Sequence, residues 1–228
     1  MTNSTAKTAP NTTETVLVLD FGAQYGQLIA RRVRDLKVYS EIVPCDTPAE
    51  EIAAKKPAAL ILSGGPASVY AEDAPSVDPG VFELGIPVLG FCYGQQIMAT
   101  TLGGSVGHTE KGEYGPAPLT RCDSADGAAA SALFGDTPAE QTVWMSHRDA
   151  VSEVPEGFVV TSTTDVCPVA SMECAERKLY ATQFHPEVKH TEYGNQMLSN
   201  FLFNICGLQP TWLWEAKAGG SLEVRSSR

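Results

Sequence analysis

The sequence predicts an α/β protein with a central, mostly parallel sheet flanked by helices, and with a small additional antiparallel sheet. Apolar strand-like runs alternate with helix-like segments through residues 15–104, which is typical of βαβ units. Several of these runs end at glycine, and parallel strands deliver such loops to one edge of a sheet. After about residue 105, short strand candidates follow one another, so they would extend the first sheet or form a smaller antiparallel one.

The first four elements alternate between strands and helices. The segment TVLVLDFG, at 15–22, is an apolar run that ends in Asp and Gly, which indicates a buried strand leading into a loop. The segment QYGQLIARRVRDL, at 24–36, places its apolar side chains on one helical face. A second strand is predicted at 39–45 and a second helix at 47–57, with Thr47 as its N-cap.

The following elements surround two glycine-containing turns. The segment AALILSGGP predicts a third strand at 58–66, and PVLGFC predicts a fourth at 87–92. A helix is predicted over 93–104, where two glycines end it. The later elements are five short strand candidates and a closing helix, at 116–122, 141–147, 158–164, 169–174, 179–185 and 194–206.

Composition and charge describe a soluble globular protein. The chain has 228 residues, of which 43% are hydrophobic and 19% are charged. Its net charge of −11 and the lack of a Lys/Arg block argue against nucleic acid as a partner. No apolar run approaches the ~20 residues that span a bilayer, so no membrane partner is expected. Residues 1–14 are polar and lack the apolar core of a secretory signal, which predicts a flexible leader on a cytoplasmic protein.

The six cysteines are predicted to be reduced, and no metal site is expected from their spacing. No C-x-x-C pair occurs, and the four histidines do not fall into zinc-ligand spacing. Five of the cysteines are predicted to pack as small hydrophobic side chains. The sixth, Cys92, lies between Gly90 and Gly94 at the point where an apolar run meets a helix.

The frame around Cys92 is the one that a nucleophile requires. A strand, then Gly-x-Cys-x-Gly, then a helix resembles a nucleophile elbow with sulfur in place of oxygen. On so sharp a turn the residues two away must be small, as Gly90 and Gly94 are. The thiol would lie at a helix N-terminus, which stabilises a thiolate, and the N–H of Tyr93 would face an oxyanion. The alternative is a buried cysteine beside a tight turn.

A cysteine nucleophile needs a base, and the segment ATQFHPEVKH at 181–190 offers one. His185 and Glu187 are two residues apart on a segment that Pro186 keeps extended, so their side chains point to the same side. His185 could then reach the thiol while Glu187 supports the imidazole. The alternative is a loop histidine beside a solvated glutamate.

A glycine loop completes the set of candidate residues. Gly64 and Gly65 follow the end of a predicted strand, where their backbone N–H groups are free to bind an anion. Parallel strands would deliver this loop and Cys92 to the same edge of the sheet. The loop could therefore supply a second donor to the oxyanion.

Six segments together resemble the class I glutamine amidotransferases, which are cysteine glutaminases that feed ammonia to a synthetase. Within that family they are most similar to the GMP synthase branch, which the residues after Cys92 and the GEYG segment favour. The likeness extends from residue 15 to about residue 212. The segments are LDFGAQYGQLIARRVRD (19–35), LILSGGPASVY (60–70), PVLGFCYGQQIMA (87–99), GEYG (112–115), VWMSHRDAV (143–151) and QFHPEV (183–188).

The resemblance assigns roles to the candidate catalytic residues. It implies that Cys92 is the nucleophile, that His185 is the base and that Glu187 orients it. It also implies that the N–H groups of Gly65 and Tyr93 form the oxyanion hole.

The resemblance also implies a set of substrate contacts. Gln96, one helical turn beyond the nucleophile, would contact the substrate glutamine, and Gly64 would lie against it. The MSHRD segment would hold the α-amino and α-carboxylate groups, which makes Ser146, His147 and Asp149 candidates. His147 has a competing structural interpretation, and its spacing does not select it as the base over His185.

The same resemblance implies a partner. A glutaminase domain at 15–212 would supply ammonia to a synthetase (ATP pyrophosphatase) domain or subunit that converts XMP to GMP. The synthetase is marked by a phosphate loop of the type Ser-Gly-Gly-Val-Asp, which this sequence lacks. The segment SGGPAS at 63–68 has the Ser-Gly-Gly but not the Val-Asp. ATP and magnesium are thus expected only on the missing domain, and no cofactor is expected in this chain. Residues 213–228 do not resemble the family and are interpreted as a divergent tail on a truncated product, a separate subunit or an excised domain.

Three alternative functions remain at this point. The chain could be the glutaminase subunit of a different synthetase, or a cysteine hydrolase of γ-glutamyl peptides, which would use the same three residues on larger substrates. A non-catalytic regulatory module is the third, although the intact Cys, His and Glu argue against it.

Overall fold

A computed structural model of the chain describes residues 14–22, 24–66, 68–122 and 131–213. The predicted leader, apart from Glu14, and the predicted tail, apart from Leu213, lie outside these residues. The described residues form one mixed sheet of nine strands with helices on both faces, which confirms the predicted α/β class. None of the helices in the described ranges combines the length and the apolar character needed to cross a membrane.

The strand order is β2-β1-β3-β4-β9-β8-β7-β5-β6. The first five strands in this order pair in parallel, and the others pair antiparallel. Because β8 pairs with β9, the expected antiparallel sheet continues the parallel one and is not separate from it. The bounds are β1 Thr15–Asp20, β2 Tyr39–Pro44, β3 Ala59–Leu62, β4 Val88–Phe91, β5 Ser105–Arg121, β6 Glu140–Glu153, β7 Val159–Thr163, β8 Ser171–Cys174 and β9 Leu179–Thr182.

The helices lie where the sequence predicts them, although most are shorter. The α-helices are α1 Tyr25–Asp35, α2 Ala49–Ala54, α3 Tyr93–Thr101 and α4 Gly194–Ser199. The closing helix changes after α4 into a π-helical segment, Asn200–Ile205. Short 3₁₀ segments lie at Pro79–Glu83, Ala132–Phe134 and Ala175–Arg177.

The predicted N-cap of the second helix was wrong. Pro48 occupies the N-cap position, and the hydroxyl of Thr47 donates instead to the carbonyl of Pro44 at 2.7 Å. The N–H of Ala49 is bound by the carboxylate of Asp78, 2.8 Å away. A side chain distant in sequence therefore satisfies the helix terminus, which local pattern alone could not reveal.

Both faces of the inner parallel strands β1, β3, β4 and β9 are buried, whereas the edge strand β2 is partly exposed. In β1, Val16 and Val18 belong to one hydrophobic cluster, together with the buried residues of α1 and α4. The intervening Leu17 and Leu19 belong to a second cluster, which includes the buried residues of α2 and α3. A strand that is covered on both sides has no polar face, and this explains its uninterrupted apolar sequence.

The hairpin of β5 and β6 is longer than the sequence predicts. Strand β5 has 17 residues and begins at Ser105, whereas the apolar pattern predicted a strand only from 116 onward. Its N-terminal part is mostly half-buried or exposed, and its pairing with β6 shifts in register between His108 and Glu113. Because this part of β5 is polar and its register shifts, apolar and polar residues do not alternate along it, and the sequence pattern did not predict a strand there. The added length places Glu113 opposite His147.

Candidate active site

Cys92 lies on a sharp turn between β4 and α3. Its φ of +52° and ψ of −106° are uncommon for a residue with a side chain, and its N–H donates to the carbonyl of Thr182 at 2.8 Å. A Cβ on Gly90 would lie 2.7 Å from the carbonyl of Gly94, and one on Gly94 would lie 2.5 Å from the carbonyl oxygen of Leu62. Both glycines are therefore needed for the strand and helix to approach so closely.

The thiol of Cys92 is nearly buried and has polar neighbours. The amide Nε2 of Gln183 donates toward the sulfur at 3.5 Å, and the sulfur lies 3.7 Å from the backbone carbonyl of Ser146. Sequence reasoning missed Gln183, although one signal was present. It precedes His185 by two residues on an extended segment, so both side chains point toward the same side.

His185 and Glu187 form a buried pair. The Nδ1 atom of His185 lies 2.8 Å from Oε1 of Glu187, and the two residues are 1% and 0% exposed. Burial by itself would lower the pKa of His185, but the Glu187 carboxylate and a hydrogen bond to Cys92 outweigh it and raise the pKa well above its ordinary value. Because Nδ1 faces Glu187, Nε2 is the ring nitrogen left to interact with the thiol.

Several contacts fix the segment that carries this pair. The ring of Tyr25 lies 4.7 Å from the imidazole of His185, centroid to centroid. The hydroxyl of Thr191 donates to the carbonyl of His185 at 2.7 Å. The Nε of Arg32 donates to the carbonyl of Glu187 at 3.0 Å. Helix α1 thus braces the pair through Tyr25 and Arg32, neither of which the sequence analysis singled out.

The glycine loop lies against the same site, as predicted from the parallel strands. A Cβ on Gly64 would lie 3.2 Å from the imidazole of His185 and 4.0 Å from the Cβ of Cys92. A Cβ on Gly65 would lie 2.7 Å from the ring of Tyr93. The hydroxyl of Ser63 donates to the carbonyl of Gly64 at 2.8 Å. Since the peptide is planar and trans, this bond also fixes the direction of the Gly65 N–H.

The side chain of Gln96 links α3 to β6 and to Gln183. Its Nε2 donates to the backbone carbonyl of Asp149 at 2.8 Å and to the side-chain oxygen of Gln183 at 3.1 Å. Gln183 in turn contacts the sulfur of Cys92. Gln96, which is predicted to contact the substrate, is therefore linked to the Cys92 thiol through the side chain of Gln183.

The MSHRD segment, at 145–149, approaches the thiol with its backbone, while its His and Asp side chains contact other protein groups. Ser146 approaches the thiol through its backbone carbonyl. The ring of His147 is engaged on both sides, with Nδ1 3.0 Å from the carbonyl of Asp149 and Nε2 2.8 Å from Oε2 of Glu113. The carboxylate of Asp149 pairs with Nδ1 of His108. These contacts favour the structural interpretation of His147 over a role as the base.

The fold and the site together define a class of protein. The chain belongs to the class-I glutamine amidotransferase family, whose family model matches residues 17–205. Among curated proteins, the chain is 56% identical over 209 residues to the GMP synthase [glutamine-hydrolyzing] of Thermobifida fusca. It is 59% identical over 199 residues to that of Streptomyces avermitilis. These alignments cover 92% and 87% of this chain but only 38% and 37% of the relatives, so the chain spans about two fifths of their length.

Solved structures with the same fold agree with this family. A Thermoplasma acidophilum protein proposed as one subunit of a GMP synthase is 32% identical, with a TM-score of 0.75 over 86% of this chain and 94% of that one. A glutamine amidotransferase from Thermotoga maritima has a TM-score of 0.67 over 85% of this chain and 98% of that one. Its identity is 19%, so this second likeness concerns the fold alone.

Proposed function

We propose that this chain hydrolyses the side-chain amide of glutamine to glutamate and ammonia. The observation that carries the proposal is the position of Cys92 on a strained turn, together with His185, whose Nδ1 is bound by the buried Glu187 and whose pKa is raised. This set supplies a nucleophile, an acid–base and its orienter, as acyl transfer requires. Relatives named as glutamine-hydrolyzing support glutamine as the acyl donor.

In the proposed reaction, the Cys92 thiolate attacks the carbon of the carboxamide. The N–H groups of Gly65 and Tyr93 stabilise the negative charge that develops on its oxygen. The C–N bond then breaks as His185 protonates the leaving ammonia, and a γ-glutamyl thioester remains on Cys92. The neutral His185 next takes a proton from a water that attacks the thioester, and Glu187 stabilises the imidazolium. Glutamate leaves, and the thiolate is restored.

The substrate contacts are proposed around the thiol. Gln96 and Gly64 would contact the glutamine, and the segment that contains Ser146, His147 and Asp149 would hold its α-amino and α-carboxylate groups. Because the ring of His147 and the carboxylate of Asp149 are engaged with protein groups, the backbone of this segment is the proposed point of contact.

The ammonia is proposed to serve the amination of XMP to GMP. The partner would be a GMP synthase synthetase (ATP pyrophosphatase) domain or subunit, which would bind ATP and magnesium, while the glutaminase reaction uses no cofactor. Support comes from the relatives named GMP synthase, of which this chain matches about two fifths. A cytoplasmic location fits the proposal, since thiols stay reduced there.

A steady-state glutaminase assay of the purified chain tests the proposal. We expect slow ammonia release from the isolated chain and faster release once a GMP synthase synthetase domain, ATP and XMP are added. The physical reason is that a misplacement of ~1 Å in the glycine loop or the His185 segment can lower a rate ~100-fold. Cys92→Ala should be inactive under both conditions, and the matched control Cys174→Ala should be active.

Four outcomes would count against parts of the proposal. No ammonia from glutamine under either condition would exclude a glutaminase. Glutaminase activity without GMP formation in the mixture would point to a different synthetase. Faster hydrolysis of γ-glutamyl peptides than of glutamine would point to a peptide hydrolase. Rapid turnover that the synthetase domain leaves unchanged would show that the site is already organised without a partner.

A further inference from the structure

A second group of reactive side chains lies beside the proposed active site but includes none of its three catalytic residues. Glu113 of β5, His147 of β6 and Cys167 each offer one potential ligand atom, and these atoms lie within 4.8 Å of one another. Glu113 is half-buried, and the other two are buried. Carboxylate, imidazole and thiolate are the ligands that Zn²⁺ takes in proteins.

The hydrogen bonds of His147 direct its Nε2 atom at the carboxylate of Glu113. A carbonyl can only accept, so Nδ1 of His147 donates its proton to the carbonyl of Asp149. In a neutral imidazole, Nε2 then carries a lone pair, yet it lies 2.8 Å from a carboxylate oxygen of Glu113. Two acceptors at this distance require a shared proton, which a metal ion bound to both atoms would replace once they separate slightly. Metal-binding histidines typically donate their other N–H to such a carbonyl, which fixes the ring.

The third ligand is held by its own hydrogen bonds. The hydroxyl of Thr164 donates to Oε1 of Glu113 at 2.7 Å and accepts from the N–H of Cys167 at 2.9 Å. The N–H of Thr164 also donates to the carbonyl of Cys167 at 2.9 Å. These hydrogen bonds fix Cys167 relative to Glu113, and Glu113 in turn contacts His147. The three ligands come from distant parts of the sequence, which explains why spacing predicted no metal site.

Distances and charge are both compatible with zinc. Ligand atoms around a tetrahedral zinc lie roughly 3.3–3.8 Å apart. The Glu113–His147 pair, at 2.8 Å, would open by about half an ångström, and the widest pair, at up to 4.8 Å, would close by about one ångström. A divalent ion bound to Glu113, neutral His147 and the Cys167 thiolate would form a neutral buried unit. A cavity of about 590 Å³ is lined by Val166 and Pro168, the two neighbours of Cys167 in the chain.

We propose that Glu113, His147 and Cys167 bind a thiophilic divalent ion such as Zn²⁺, with the fourth position open to water. Because a thiol binds a metal ion as thiolate, binding releases a proton and affinity rises with pH. The ion would also join β5, β6 and the 164–167 turn and so stabilise the fold.

Cobalt titration of the full chain tests this proposal. A Cys92→Ser background removes binding of the ion by the nucleophile. In that background, we expect one Co²⁺ per chain and a near-ultraviolet thiolate-to-cobalt charge-transfer band. The band should be lost on further substitution Cys167→Ser and kept with the matched control Cys174→Ser. Zn²⁺ should displace the cobalt and raise the melting temperature with increasing concentration.

A second variant keeps the test informative if Cys167→Ser does not fold. Glu113→Gln should weaken Co²⁺ binding by at least ~10-fold, since loss of even an outer partner of a metal ligand costs ~10–100-fold. The exposed Glu140→Gln should bind like its parent. No charge-transfer band in the Cys92→Ser chain, or a band that survives Cys167→Ser, would overturn the proposal. The His147–Glu113 contact would then be a proton-bridged pair.

Discussion

The Nδ1 atom of His185 lies 2.8 Å from Oε1 of Glu187, although only Pro186 separates the two residues. The other carboxylate oxygen, Oε2, is buried and has no hydrogen-bond partner among the described residues. His185 is therefore the hydrogen-bond partner of the Glu187 carboxylate among the described residues. This pair should govern the pH dependence of both stability and catalysis.

The raised pKa of His185 predicts how stability varies with pH. A group whose pKa is higher in the folded state contributes stability that is fully present below its unfolded pKa, about 6.5 for histidine. That contribution is lost as the pH rises through the folded value. The difference in unfolding free energy between the parent chain and Glu187→Gln should therefore shrink across this window. Denaturant titrations at a series of pH values measure it, and the exposed Glu176→Gln is the control. A pH-independent difference would contradict the prediction.

His185 should matter more than Glu187 for turnover. His185→Ala removes the group that transfers protons and should lower kcat ~10²–10⁴-fold, whereas Glu187→Ala removes only its support and should cost less. His147→Ala, which alters a histidine that contacts Glu113 instead of the thiol, is the comparison. If His147→Ala abolished hydrolysis and His185→Ala did not, the base would be assigned to the wrong histidine.

Cys92 should be the reactive cysteine. A diazo-ketone analogue of glutamine should label Cys92 alone among the six cysteines. Cys92 is the cysteine that lies in the proposed substrate site, close to the proposed base His185. Peptide mass spectrometry locates the label. Cys92→Ser should remain folded but take up no label. Modification at another cysteine while Cys92 stays free would contradict this.

Gly65→Ala should lower activity strongly. The added methyl would lie 2.7 Å from the ring of Tyr93, so the loop and its N–H must shift away from the thiol. Loss of one oxyanion donor typically costs ~10²–10³-fold in kcat. Gly107→Ala is the matched control, because its methyl would be no closer than 3.8 Å to its neighbours. Equal activity of both variants would show that Gly65 does not position a donor.

Arg32 is expected to act as a positioning residue. Its Nε donates to the carbonyl of Glu187, so Arg32→Ala frees the segment that carries the catalytic pair. A hydrogen bond from a charged group contributes ~1.5–3 kcal/mol, which corresponds to a fall in kcat of roughly 10–100-fold. KM should change less than kcat, since Arg32 does not contact the proposed substrate site. Arg31→Ala, at an exposed position of the same helix, is the control. A rise in KM and a fall in kcat that accompany a lower melting temperature would indicate only a structural role.

Much of the fold follows from local pattern. The apolar runs that became β1, β3 and β4 are covered on both faces, so their sequence carries a strong signal. The polar half of β5 carries no such signal, because its side chains are mostly half-buried or exposed and its register shifts near Glu113. The N-cap of α2 was missed for a related reason, since Asp78 reaches it from a distant segment.

The sequence by itself determined which residues could perform the chemistry. Glycines two residues on either side of Cys92 are a local requirement of a sharp turn, and proline between His185 and Glu187 is a local restriction on the backbone. Both are visible without coordinates. Tertiary structure alone decided which side chains meet: that Gln183 and the carbonyl of Ser146 approach the sulfur, that α1 braces the His185–Glu187 pair, and that His147 pairs with Glu113. Such contacts depend on strand order and register, which bring together residues far apart in the chain and leave no mark on the local pattern of either one.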